Sequence, residues 1–111
     1  MNESKRAVIY ARVAPHEPLN DRNLSTQVEA CRRYATHHGL AVTANQIITE
    51  VYSGATIKRP GLDRVRALTD GREVDAVIVY TLDRLSRNPA HLLFLYEEWQ
   101  RIGIEVHHVS R

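Results

Sequence analysis

Ala76-Val77-Ile78-Val79-Tyr80-Thr81-Leu82-Asp83-Arg84-Leu85-Ser86-Arg87-Asn88-Pro89 is the stretch on which the fold turns. It opens with an unalternating apolar, β-branched run, the pattern of a strand buried on both faces of a parallel sheet. The run gives way to a polar segment holding Arg84 and Arg87, and Asn88-Pro89 then supplies a cap and a first-turn proline for a helix. Strand, charged exit and helix make the repeating unit of an α/β domain, where ligands gather beyond the C-terminal ends of strands.

Working outward, Ala7-Val8-Ile9-Tyr10-Ala11 has the same buried-strand character, and its exit, Arg12-Val13-Ala14-Pro15, also carries arginine. His16 to Asn23 reads as a loop. A helix is expected to start between Asn23 and Thr26, where Thr26 and Glu29 have capping-box spacing. Leu24, Val28, Cys31 and Ala35 form its apolar face, and Gly39 stops it. Residues 46–51 are favoured as the next strand over Leu40-Ala41-Val42. A loop runs from Ser53 to Gly61, and Leu62, Val65 and Leu68 mark a short helix ending at Asp70-Gly71. The helix after Pro89 carries Leu92, Leu93, Leu95, Tyr96, Trp99 and Ile102; the Leu92, Leu93, Tyr96 and Trp99 stripe reads as core, with Trp99 at its edge. Ile104 to Val109 closes the chain as a strand. The order β-α-β-α-β-α-β predicts a three-layer open sheet, mainly parallel, with helices on both faces.

The 111 residues, 43% hydrophobic and 25% charged, suit one domain, and a multidomain enzyme is not expected of them. A formal charge of +2 identifies no partner, but 13 of the 15 basic residues are arginine, whose planar fork suits phosphate and carboxylate. Cys31 is the single cysteine, so no internal disulfide can form, and a reducing compartment is the simplest setting. No stretch approaches the roughly 20 apolar residues of a membrane span, so no membrane partner and a cytoplasmic location are expected. His37-His38 and His107-His108 are adjacent pairs whose side chains diverge on a helix or a strand, so no metal site is expected.

The strand exits hold the candidate chemistry. If residues 81–88 turn helically, Arg84 and Arg87 share a face and, with Arg12, converge on one anion. Guanidinium groups gathered without matching acids repel one another unless a phosphate lies among them. The plainer alternative makes each arginine a solvated surface residue or the partner of a local acid such as Asp83. Spacing alone does not choose between the two.

Tyr10-Ala11-Arg12-Val13, Leu24-Ser25-Thr26-Gln27, Tyr52-Ser53-Gly54, Lys58-Arg59-Pro60-Gly61-Leu62 and Leu82-Asp83-Arg84-Leu85-Ser86-Arg87 together resemble the catalytic domain of serine recombinases, the resolvase and invertase family. The resemblance runs from about Ala7 to Val109, with the motifs in the family's order. It implies site-specific DNA cleavage and rejoining through a 5′-phosphoserine, with no nucleotide, metal or other cofactor. The absence of a Gly-rich phosphate loop or a metal-ligand pattern agrees with that. Arg12, Arg84, Arg87 and Arg59 would then face the phosphate, with Gln27 beside the site. Asp83 would orient an arginine or help move a proton. Ser53 and Glu50 occupy further motif positions, Glu50 without an assigned role. The implied partners are DNA and, for the full-length family, further copies of the protein as homodimer and tetramer.

The family's arginine-valine motif continues into the nucleophilic serine, and Ala14 stands there. Alanine has no oxygen to attack phosphorus, so this chain is expected to be catalytically inactive. Ser25, Ser53 and Ser86 read as capping or backbone-bonding residues rather than replacements. A deliberate serine-to-alanine substitution and a natural family member that has lost the chemistry both account for Ala14, the first being favoured. The resemblance also implies a chain ending before a long dimerisation helix and a DNA-binding region. Two other classes remain as alternatives: an inactive DNA-binding or regulatory homologue, and a flavodoxin-like or response-regulator-like signalling module. The signalling module is disfavoured because Arg12 stands where acids or a glycine-rich loop would be needed.

Overall fold

The computed structural model describes residues 4–17 and 21–110. Its elements are β1 (Lys5–Val13), α1 (Asp21–His37), β2 (Leu40–Ala41), β3 (Ile47–Val51), α2 (Pro60–Asp70), β4 (Ala76–Val79), α3 (Leu82–Leu85), α4 (Pro89–Arg101) and β5 (Glu105–His108), with a 3-10 turn at Ala44–Gln46. β1 is central because it is the longest apolar strand and both of its edges are paired. On one edge Lys5 and Arg6 lie opposite Leu40 and Ala41 of β2. Further along that edge Ile9 to Val13 lie opposite Ile47 to Val51 of β3. The other edge pairs Ala7 to Tyr10 with Ala76 to Val79 of β4. β4 in turn pairs with β5, and all these pairings are parallel.

Side chains alternate across a strand, so β1 and β4 supply two cores. Val8, Tyr10, Val77 and Val79 pack with Leu62 and Val65 of α2 and with Leu95 and Trp99 of α4. Ala7, Ile9, Ala76 and Ile78 pack on the other face with Cys31 and Ala35 of α1. Each fully buried valine or isoleucine adds roughly 1.5–3 kcal/mol of transfer free energy, which favours this two-sided burial. Arg12 follows Tyr10 by two residues, so the same parity directs it toward the α2 and α4 face.

The helix ends match their local signals. Asn88 accepts the Ala90 amide in its side chain at 2.9 Å, capping α4 ahead of Pro89. Gly39 and Gly103 take φ +67° and +77°, the left-handed geometry that stops α1 and α4.

Several expectations need correction. α1 begins at Asp21, so Thr26 lies inside the helix rather than capping it. Between Asp21 and Thr26 no glycine or proline prevents the extra turn. Leu40-Ala41-Val42 and residues 46–51 do not compete for one place in the sheet, because β1 is long enough to pair with both β2 and β3. On α4, Leu93 is exposed at 60%, and Trp99 is buried at 1% rather than marginal. The inward row runs Leu92, Leu95, Trp99, Ile102, the spacing a 3.6-residue period demands, and Trp99 Nε1 donates to Thr69 Oγ1 at 3.0 Å.

Candidate active site

β1, β4 and the segment after β3 end at the same edge of the sheet, and their exits carry the arginines. Arg12 is 1% exposed and spends its guanidinium on backbone carbonyls. Nε donates to Arg84 O at 2.9 Å, Nη1 to Tyr52 O at 2.8 Å and Nη2 to Asp83 O at 2.7 Å. Gln27 of α1 fixes the Arg12 backbone from the opposite side: its Oε1 accepts the Arg12 N–H at 3.2 Å and its Nε2 donates to Arg12 O at 3.1 Å. Arg59, 0% exposed, is held similarly. Its Nε donates to Thr56 O at 2.8 Å, Nη1 to the Tyr10 hydroxyl at 2.8 Å and Nη2 to Leu85 O.

Both guanidinium groups therefore clamp α3 by its carbonyls, and they do so without a carboxylate against them. A carbonyl satisfies a donor but leaves the charge in place. Burial first, and the neighbouring Arg59 charge second, lower the Arg12 pKa from its ordinary value. Backbone dipoles and the Tyr10 hydroxyl thus satisfy the donors of both guanidinium groups, while the repulsion between the two charges remains. Gly54 makes the close approach possible: a Cβ there would lie 2.7 Å from Arg12 Nη2 and 2.9 Å from Arg87 Cγ.

Arg84 differs from these two. Its Nη1 donates to Arg12 O at 3.1 Å and to Glu17 Oε1 and Oε2 at 3.0 and 3.3 Å, and its buried Nε finds no hydrogen-bond partner. Glu17 Oε1 also accepts the Ala14 amide at 2.7 Å. That bond, and then the Arg84 charge, hold the Glu17 carboxyl below its ordinary pKa. Ala14 itself is 1% exposed at the end of this arrangement.

Arg84 and Arg87 do not share a helix face. α3 stops at Leu85, and Ser86 is extended at φ −163°, ψ 146°. Ser86 Oγ accepts the Asn88 amide at 3.0 Å, and Pro89 disfavours a helical Asn88, so a helix cannot continue through both. Arg87 instead donates its backbone N–H to Gly54 O at 3.2 Å and leaves its side chain exposed beside that glycine. The Asp83 carboxylate accepts from Thr81 Oγ1 rather than from an arginine; it is the Asp83 carbonyl that orients Arg12. Ser53 Oγ accepts the Ala55 amide at 3.1 Å, a local turn bond.

Glu50 gains a definite role. Its Oε1 accepts the Gly61 amide at 2.8 Å, and its Oε2 accepts the Leu62 amide at 3.1 Å and the Tyr10 hydroxyl. It thereby caps α2, whose first residues have free amides, and fixes the phenol that receives Arg59. Burial, then the Glu50 bond, push the Tyr10 phenol upward from its ordinary pKa. The sequence reading passed over Tyr10 and Glu17 as site residues. Glu17 left a usable signal, a carboxylate in the exit loop of an arginine-bearing strand. Beside Arg84, an open hollow of about 710 Å³ is lined by Tyr80, Thr81, Leu82, Asp83, Arg84 and His108. Among the described residues no group of three or more His, Cys, Asp or Glu could hold a metal, and no helix is long and apolar enough to cross a membrane.

The molecule is thus an α/β domain with a parallel sheet and an arginine cluster where β1 and β4 end. Residues 7–111 match the family described as resolvase, N-terminal domain, and the chain belongs to that family. It is 36% identical over 95 residues to the transposon Tn917 resolvase of Enterococcus faecalis, covering 86% of this chain and 44% of the relative. Against the transposon Tn3 resolvase of Escherichia coli it is 32% identical over 101 residues, covering 91% and 48%. The chain therefore spans less than half the length of these curated relatives. Among solved structures, the C-terminal catalytic domain of ISC1926 TnpA, an IS607-like serine recombinase, superposes with TM-score 0.83 at 31% identity, covering 96% of this chain and 70% of that one. The N-terminal catalytic domain of TP901-1 integrase gives 0.81 at 28% identity, covering 95% and 77%. Family membership sets aside the signalling-module alternative.

Proposed function

We propose that this chain is the catalytic domain of a site-specific DNA recombinase in which the phosphate-handling apparatus is in place and the nucleophile is absent. In the reaction the family resemblance implies, a serine oxygen bonds to the backbone phosphorus and gives up its proton. The phosphorus–oxygen bond to the 3′ carbon's oxygen breaks, and that oxygen takes up a proton to leave a 3′ hydroxyl. The phosphoserine ester retains the bond energy, so rejoining uses no cofactor. Ala14 occupies the serine's position, and with only a methyl group it cannot form the first bond.

The observation that carries the reading is the meeting of the Ala14 amide and the Arg84 guanidinium on one anionic oxygen, directly at the nucleophile position. Donors so arranged stabilise charge that develops on a phosphate, each by on the order of 3 kcal/mol. Arg12 and Arg59 support that geometry from beneath by clamping α3, and Arg87 offers an exposed guanidinium beside Gly54. The partner is the DNA backbone, and the whole protein acts as a dimer and tetramer. A naturally inactive DNA-binding or regulatory homologue is the second reading, and Ala14 is the feature that favours it.

Ala14→Ser in the whole protein that carries this domain tests the proposal. On DNA bearing its recombination site, the substituted protein is expected to form an adduct that survives denaturing electrophoresis and disappears with protease, whereas the Ala14 protein forms none. Absence of an adduct from the serine form, with DNA binding intact, refutes the recombinase chemistry.

A further inference from the structure

Resting on the phosphate-site reading above, we propose that Glu17 is an internal stand-in for the backbone phosphate, one that closes the site until DNA displaces it. Glu17 lies three residues beyond Ala14, in a turn closed by its own N–H to Ala14 O at 3.0 Å. From there its carboxylate takes the Ala14 amide at 2.7 Å and the Arg84 guanidinium at 3.0 and 3.3 Å. A backbone N–H and a guanidinium converging on one anionic oxygen is the donor set of a phosphate contact, here filled by a side chain.

Three features mark the occupant as exchangeable. Among the described residues, Glu17 supplies the only carboxylate in direct ion pairing with Arg12, Arg59, Arg84 or Arg87. Arg12 is sealed against carbonyls and Arg59 against carbonyls and the Tyr10 hydroxyl, so Arg84 is the buried-edge cation whose charge is met by a removable group. The Arg84 and Glu17 side chains are 22% and 25% exposed, which leaves a route for an incoming anion. Finally, Arg84 Nε is buried without an acceptor. The carboxylate engages Nη1 alone, whereas a phosphate can present two oxygens to Nε and Nη together. The present arrangement therefore leaves unused a donor that the displacing ligand could satisfy.

The test follows inorganic phosphate binding to the isotope-labelled chain by NMR, at fixed ionic strength, through the Ala14 amide, the Arg84 Nε–H and the Glu17 carboxyl carbon. Glu17→Gln keeps the shape and removes the charge. If the closed form dominates, affinity falls by the closed fraction, so Glu17→Gln should tighten phosphate binding by on the order of tenfold. Adding Arg84→Ala should abolish the gain. In the unsubstituted chain the Glu17 carboxyl resonance should move as phosphate saturates, a readout independent of any variant's folding, and Glu17→Ala gives a second. Phosphate binding at Arg84 with unchanged affinity in Glu17→Gln and Glu17→Ala, or with an unmoved Glu17 carboxyl, overturns the stand-in role and leaves the phosphate site standing. No phosphate binding at Arg84 in the chain or in either variant refutes the phosphate-site reading itself, and this inference with it.

Discussion

Removing the Glu50 carboxylate should loosen the whole α2 side of the arginine cluster. Glu50 accepts three hydrogen bonds, from the Gly61 and Leu62 amides and from the Tyr10 hydroxyl, which is itself fully buried. Glu50→Ala forfeits a helix cap, costing about 0.5–2 kcal/mol. It also leaves the Tyr10 proton without an acceptor, at about 1–3 kcal/mol. The two losses share one network and do not simply add, so a net destabilisation of about 3 kcal/mol is expected. For a chain of this size that lowers Tm by about 12 °C or more. Trp99, the single tryptophan and buried at 1%, reports unfolding by fluorescence in urea. Tyr10→Phe should cost less in the Glu50→Ala background than alone, with a coupling of about 1 kcal/mol, because it removes the orphaned hydroxyl. A Glu50→Ala chain within about 0.5 kcal/mol of the parent, or strictly additive substitutions, would refute the carboxylate's role as the tie between α2, Tyr10 and Arg59.

Gly54→Ala places a Cβ 2.7 Å from Arg12 Nη2; because that nitrogen is pinned to the Asp83 carbonyl, the strain should cost about 1–3 kcal/mol in urea unfolding. Burial raises the Cys31 thiol to about 12 and leaves it 0% exposed. Iodoacetamide at pH 8 should therefore leave the native chain unmodified by mass spectrometry and alkylate it once in denaturant. The Asp75 carboxyl, held by the Arg6 amide and then its guanidinium, and the Glu17 carboxyl, held by the Ala14 amide, lie below their ordinary values of 3.8 and 4.5. Near those values the folded chain binds fewer protons than the unfolded one, so the stabilisation is complete above them and declines as pH falls through the depressed folded values. Urea midpoints measured from pH 6 to 3 should fall, and Asp75→Asn should flatten the fall; an unchanged slope would show that the Arg6 contacts do not matter in solution.

The fold was legible where apolar pattern and punctuation agree. Ala7 to Ala11 of β1 and the whole of β4 are unbroken apolar runs, and Pro89, Gly39 and Gly103 mark helix ends, whereas Pro60 and Gly61, read as the end of a loop, form the first turn of α2 because proline's fixed φ suits a first helical position. Legibility failed where backbone pairing outruns side-chain pattern. Lys5 and Arg6 are strand residues because Leu40 and Ala41 lie beside them, which hydropathy does not record. It failed again at residues 82–88, where a helical period was plausible but the Ser86–Asn88 bond and Pro89 divide the segment. At the site, the residue types and the strand ends were visible. The partners of Arg12 and Arg59 were not, because all but the Tyr10 hydroxyl are carbonyls, which every residue carries alike. Glu50 could be marked as present but not given a function, since its ligands lie 11 and 12 residues downstream and 40 residues upstream.

The choice of carbonyls over carboxylates has an electrostatic consequence. A guanidinium fully paired with acids is held firmly but presents little net field. One held by carbonyls is equally fixed and keeps its charge, at the cost of the desolvation and like-charge repulsion that lower the Arg12 pKa. Arg12 and Arg59 thus act together as a rigid positive base beneath α3, and that helix carries Arg84, whose charge alone is met by an ion pair with Glu17. Fixed charge below and exchangeable charge above would make displacement of one carboxylate sufficient to expose the field of the whole cluster to an incoming phosphate. The site would then need no large rearrangement of the sheet, because Arg12 is already anchored on backbone carbonyls and Arg59 on carbonyls and the Tyr10 hydroxyl.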